Sequence, residues 1–361
     1  MRPFRILAGG YDVFVATYLF DPQTSSLSVL SRSPTGDNPS WISQHPTNAS
    51  ILYATNETPA GALQSFVINS DGSLTSAKDT IETEGDLPAF TVALSTGQVG
   101  VMNYGTGNGR FVSTDRSALT FDNSAPLITF PIKSGTVSHP HMILQHDNEV
   151  FVPDLGQDTI WRLAQDPQNA ASFKIQGSIP HPAGSGPRHI AIFEDRLYTL
   201  HELASTLTVQ AIPTAPNGTS TIFSNVSIIP PNQPAGASFA AAEILIPQPT
   251  KKFPTPYIYV SNRNTGTQLD PRGDAIAIFE LLDKGKKTER LQLITHVFTG
   301  LDQIRGMEFG PLKDGGEEFL AAAGVAGSAG TIILRRTEGG RDMEIVAKNL
   351  DIPTRSSFVW L

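Results

Sequence analysis

Short β-rich runs that end in small or polar residues recur along the whole chain. One kind reads FRILAGG (4–10), ILYATNE (51–57), VGVMNYG (99–105) and VFVPDLG (150–156). It returns as RLYTLHEL (196–203), YIYVSNR (257–263) and FLAAAGV (319–325). Runs this short, bounded by turn formers, predict strands, and helical patterns are few. Aligning the polar ends puts Gly9, Asn56, Asn103, Asp154, His201, Asn262 and Gly324 in register at spacings of 47, 47, 51, 47, 61 and 62 residues.

A second run precedes most of these copies. It reads PSWIS (39–43), PAFTV (88–92), HPHMI (139–143) and PRHIA (187–191), with weaker forms SFAAAE (238–243) and IRGME (304–308). Its seventh copy, RSSFVW (355–360), lies at the C-terminus, and the strand it should pair with lies at the N-terminus. Such a circularly permuted repeat is what a closed ring requires, because closure removes open sheet edges. A period near 50 residues with several strands per unit predicts an all-β, seven-bladed β-propeller, one domain over 1–361, closed by pairing of the N- and C-terminal strands. Segments 213–234 and 247–256, rich in Pro, read as surface loops, and DKGKKTER (283–290) as a solvated hairpin tip.

Composition narrows the function. The chain has 361 residues, 39% hydrophobic and 17% charged, enough for a large core. It has no cysteine, which excludes disulfides, thiolate metal sites and cysteine nucleophiles. Net charge is −8 and no Lys/Arg run resembles a nucleic-acid footprint. The N-terminus lacks a secretory apolar region, and no stretch approaches the roughly 18 apolar residues of a membrane span, so a soluble cytoplasmic protein is expected, with self-association left open. No G-x-G-x-x-G suggests a nucleotide cofactor and no G-x-S-x-G an acyl-transfer serine; no cofactor and no metal are expected.

If the two runs are antiparallel neighbours, the start of the second and the end of the first meet at one mouth of the central channel. The starts bring Trp41, His139, His141, Arg188, His189, Arg305 and Arg355. The ends bring Tyr11, Asn56, Glu57, Asn103, Tyr104, Asp154, His201, Glu202, Asn262 and Arg263. Arginines concentrated here on an acidic chain point to a small anionic substrate held by guanidinium forks. Asp154 reads more readily as a turn acid, and His139 as a loop histidine bonding a carbonyl. On a regular strand Arg188 and His189 face opposite ways, so only one should point at the channel. His141, Arg188, Glu202 and Arg263 are the expected catalytic set: a proton-transfer imidazole, a carboxylate orienting or replacing it, and two cations. His139, His189, Arg305 and Asn262 are expected as further substrate contacts.

SHPH (138–141), VPDLGQD (152–158), GPRHI (186–190), LYTLHEL (197–203) and YVSNR (259–263) resemble the lactonase-type seven-bladed propellers, a family that includes 6-phosphogluconolactonase and carboxy-cis,cis-muconate cyclase. GVAGSAG (324–330) and LRRTEGG (334–340) are more similar to the cyclase branch, whose histidine, two arginines and glutamate match His141, Arg188, Arg263 and Glu202. The resemblance implies cofactor-free lactonization of a carboxylated muconate, with His141 as proton donor and Glu202 supporting or replacing it. A sugar-lactone hydrolase is the alternative, and a non-catalytic interaction platform the third reading.

Overall fold

The computed structural model describes residues 2–361 apart from 134 and 136. Seven separate four-stranded antiparallel sheets account for nearly all regular structure, and among the described residues the only helical turns are three short 3₁₀ segments. Blade 1 is Ser357–Trp360, Phe4–Gly9, Phe14–Asp21 and Ser26–Pro34, counted from the channel outward. The C-terminal strand thus supplies the inner edge of the sheet that the N-terminus begins, with Gly9 opposite Ser357 and Ile6 opposite Trp360. The innermost strands of the other blades are Ile42–Gln44, Pro88–Ala93, Leu144–His146, Pro187–Phe193, Phe239–Leu245 and Asp302–Phe309.

Burial explains why the repeat is visible. The second strand of each blade is covered on both faces, so Ile51–Asn56, Gln98–Asn103 and Ile258–Asn264 are buried at every residue and read as uninterrupted runs. The outermost strands have one wet face and alternate, as in Ile222–Ser227 and Ser26–Pro34. The core fills the seams between blades. At the closing seam Phe4, Phe20, Phe319 and Trp360 interlock, with Phe20 and Phe319 edge-on at 4.9 Å. Gly324 is required where it stands, because any Cβ there would overlap the Asp302 carbonyl.

Three expectations need correction. Segment 213–234 is not all loop: Ile222–Ser227 forms the outer strand of blade 5. In blade 4 the run 139–143 is not strand; Pro140, lacking an N–H, makes only an isolated bridge to Asp154, and the inner strand starts at Leu144. Arg188 and His189 do not face opposite ways. The ladder pairs Pro187 with His201 and His189 with Leu200, so Arg188 is the extra residue of a β-bulge, and the bulge turns both side chains inward.

The bulge is a repeated device. Blade 3 skips Ala89, blade 7 skips Arg305, and blade 6 sets two residues, Ala242 and Glu243, against Ser261. In four blades the residue before this segment has positive φ: Asn38, Leu87, Gly186 and Gln303. Each left-handed step re-aims the chain as it reaches the channel, and the side chains that follow form two tiers around it.

Candidate active site at the channel mouth

The upper tier holds the charges. Glu202 lies between two cations, its Oε2 against Arg188 Nη1 and its Oε1 at 2.7 Å from Arg263 Nη2. Burial opposes its ionisation, but the two guanidiniums outweigh burial and hold its pKa down at about 2. Backbone carbonyls complete the cation shells: Arg188 Nε donates to Ala242 at 3.1 Å and Arg263 Nη2 to Ala241 at 3.3 Å. Burial and the neighbouring Arg188 lower the Arg263 pKa to about 10, which leaves it charged at neutral pH. Arg305, the bulge residue of blade 7, reaches over Tyr11 and stands 3.5 Å from Glu57, whose other oxygen accepts the Tyr11 hydroxyl at 2.8 Å. Three guanidiniums thus face two carboxylates, leaving room for one more anion.

His141 sits at the floor of this tier, buried, with Tyr104 edge-on at 5.7 Å. Burial first, then Arg188, His189 and the other mouth arginines, push its pKa well down, so the imidazole is uncharged. Below it lies the second tier, built from Trp41, Phe90, His189 and Glu243. His141 Nδ1 is 3.1 Å from His189 Nε2, and His189 Nδ1 is 2.7 Å from Glu243 Oε1. Trp41 and Phe90 meet the His189 ring edge-on at 5.4 and 5.8 Å. Beyond this tier the channel opens into a cavity of about 350 Å³, lined by Trp41, Phe90, Glu243, Glu308 and Trp360 among others and touched by none of the three arginines.

The structure therefore brings His141, Arg188, Glu202, Arg263 and Arg305 together and redistributes the rest. Glu202 does not bond His141; committed to two arginines and ionised, it cannot serve as the alternative acid. His189 is fully buried, with one ring nitrogen engaged by His141 and the other by Glu243. His139 stacks on Tyr104 at 4.4 Å and its Nδ1–H donates to the Tyr104 carbonyl at 2.7 Å. Asn262 is buried beside Arg263 with neither amide atom hydrogen-bonded. Asp154 is structural, accepting from Ser138, the His139 and Gly156 amides and the Trp161 indole. Asn56 and Asn103 bond loop carbonyls, His201 pairs with His181 and Thr206, and Arg355 turns to Asp12 over Phe14. Glu243 escaped the sequence reading because its run, FAAAE, is small and weakly patterned, although it ends where PRH and HPH place their histidines.

Among the described residues no group of three His, Asp or Glu is arranged to hold a metal ion, and no helix is long and apolar enough to cross a membrane. No curated protein sequence is significantly similar to the chain. Solved structures share its fold. A Lactobacillus plantarum protein superposes with a TM-score of 0.83 at 20% identity, covering 100% of both chains. A candidate 6-phosphogluconolactonase from Bacteroides fragilis gives 0.80 at 20% identity over 99% of this chain and 98% of that one. A periplasmic gluconolactonase from Pseudomonas aeruginosa gives 0.80 at 18% identity over 100% and 99%. A family model for the lactonase seven-bladed β-propeller matches residues 5–360, and with the ring closed as described the chain belongs to that family.

Proposed function

We propose that the protein hydrolyses the lactone of an anionic sugar acid, with His141 as general base. The observation that carries this reading is an uncharged, buried imidazole directly beneath three guanidiniums that are only partly neutralised by Glu202 and Glu57. Family membership supports it, and the names borne by the structural relatives favour hydrolysis over muconate lactonization. His141 takes a proton from water as the oxygen adds to the lactone carbonyl carbon. The oxyanion forms beside the guanidiniums, which lower its energy. The ring C–O bond then breaks, the departing ring oxygen takes the proton back from His141, and a hydroxy acid leaves.

The lactonizing reading retains the cyclase-like residues 324–330 and 334–340 in its favour. It would need a proton donor, whereas Glu202 is ionised and His141 uncharged. Purified protein should be given 6-phosphoglucono-δ-lactone, glucono-δ-lactone and 3-carboxy-cis,cis-muconate, following acid release for the lactones and ultraviolet absorbance for the diene. Enzyme-dependent acid release that His141→Ala abolishes is expected. Loss of the diene band without lactone hydrolysis would overturn the proposal in favour of the cyclase.

A further inference from the structure

We propose that Glu243 and His189 are positioning residues that fix the tautomer of His141, so that its Nε2 faces the mouth without a proton. The inference rests on the reading of His141 as the proton-transfer group and adds the two residues that decide in which direction it transfers.

The assignment follows from who can donate. Glu243 Oε1 also takes the backbone N–H of Ile244 at 3.0 Å, and a carboxylate oxygen shared by two contacts in this way acts as the acceptor toward both. His189 Nδ1, 2.7 Å from the same oxygen, must therefore be the protonated nitrogen. A neutral imidazole has one N–H, which leaves His189 Nε2 bare. The 3.1 Å contact to His141 Nδ1 can then be a hydrogen bond only if His141 donates it. That spends the one proton of His141 on the side away from substrate. Among the described residues no other hydrogen bond reaches the His141 ring, so its second nitrogen is free to accept from water. Burial favours the uncharged form of both rings.

The relay is also held in place. Trp41 and Phe90, packed on each other with ring centroids 4.5 Å apart, both meet His189 edge-on, and the Glu243 amide donates to Ser261 Oγ at 3.0 Å, which pins the bulge of blade 6. A histidine whose tautomer is set by the partner of its other nitrogen is the arrangement that makes a neutral base directional. Losing such a partner while keeping the geometry lowers turnover by roughly 10⁴-fold where it has been measured in a serine protease.

Nitrogen-15 NMR of the intact protein, labelled at histidine and assigned with a His141→Gln variant, reads the tautomer without any substrate. The expected result is a protonated Nδ1 and a bare Nε2 at His141. Glu243→Gln keeps the shape but loses the fixed acceptor, so it should move proton density toward His141 Nε2 and lower kcat, as the carboxylate-to-amide change does in that protease. Glu243→Leu should move proton density to His141 Nε2 and lower kcat roughly 10³-fold or more with KM little changed. A proton on His141 Nε2 in the unaltered protein would overturn the relay, as would a Glu243→Leu variant with unchanged tautomer and turnover. Bare Nε2 in a protein that hydrolyses no lactone would refute the function and leave the relay standing. Lactone hydrolysis with a protonated Nε2 would do the reverse.

Discussion

Arg188 and Arg305 occupy the same place in blades 5 and 7: each is the residue that a β-bulge leaves unpaired, directly after Pro187 and Ile304. Their commitments differ. Arg188 is bound to Glu202 and to the Ala242 carbonyl, whereas among the described residues Arg305 has one ion contact, 3.5 Å from Glu57, besides its place over the Tyr11 ring. Arg305 is thus the cation with most capacity left for substrate. Arg305→Ala should raise KM for a phosphorylated lactone about 10-fold or more, the worth of one charge-assisted hydrogen bond, and change the unphosphorylated substrate far less. Steady-state kinetics on both lactones provides the check; equal losses would mean that Arg305 does not meet the anion.

Removing Arg188 acts on stability as well as chemistry. Arg188→Ala leaves the buried Glu202 with Arg263 alone, and breaking one side of a buried ion pair costs about 3 kcal/mol. Urea denaturation at neutral pH should show the lowered midpoint. Adding Glu202→Ala to Arg188→Ala should restore part of the loss, because no carboxylate is then left underpaired. A double variant as unstable as the sum of the singles would contradict this coupling.

The far cavity carries its own pH dependence. Burial and the nearby Glu243 push the Glu308 pKa from its ordinary 4.5 up to about 8. Between those values the folded chain keeps a proton that the unfolded chain has released, so this group favours folding fully below pH 4.5 and that contribution is lost as pH rises to 8. Glu308→Gln should therefore gain stability relative to the parent as pH goes from 5 to 8. Parallel stability curves over that range would show that Glu308 titrates normally.

Ring closure rests on few residues. Trp360 meets Phe4 edge-on at 5.6 Å, and its indole N–H donates to the Glu308 carbonyl at 3.0 Å. Trp360→Ala should cost about 3–5 kcal/mol. Deleting residues 357–361 should do more, exposing the inner edge of blade 1 and promoting association that light scattering would detect. A truncated chain that keeps the parent's association state and melts like the parent would show that the ring does not depend on its last strand.

The amino-acid sequence by itself determined the seven-fold repeat, the closure of the ring and the end of the channel where arginine and histidine collect. It could do so because the second strand of every blade is buried on both faces and terminates at the mouth, so apolar run and polar end recur at a readable period. Only the tertiary structure decided how those side chains are used. Regular strand alternation would put Arg188 and His189 on opposite faces, and a bulge in the ladder turns both inward. Glu202 reads as an acid or base until Arg263, 61 residues away on another blade, is seen to share it with Arg188. Glu243 joins the site through a weakly patterned segment whose one extra residue no local rule announces. Periodicity is a property of each strand's own environment and is written locally; partners across the ring are set by where seven sheets meet, which no single segment encodes.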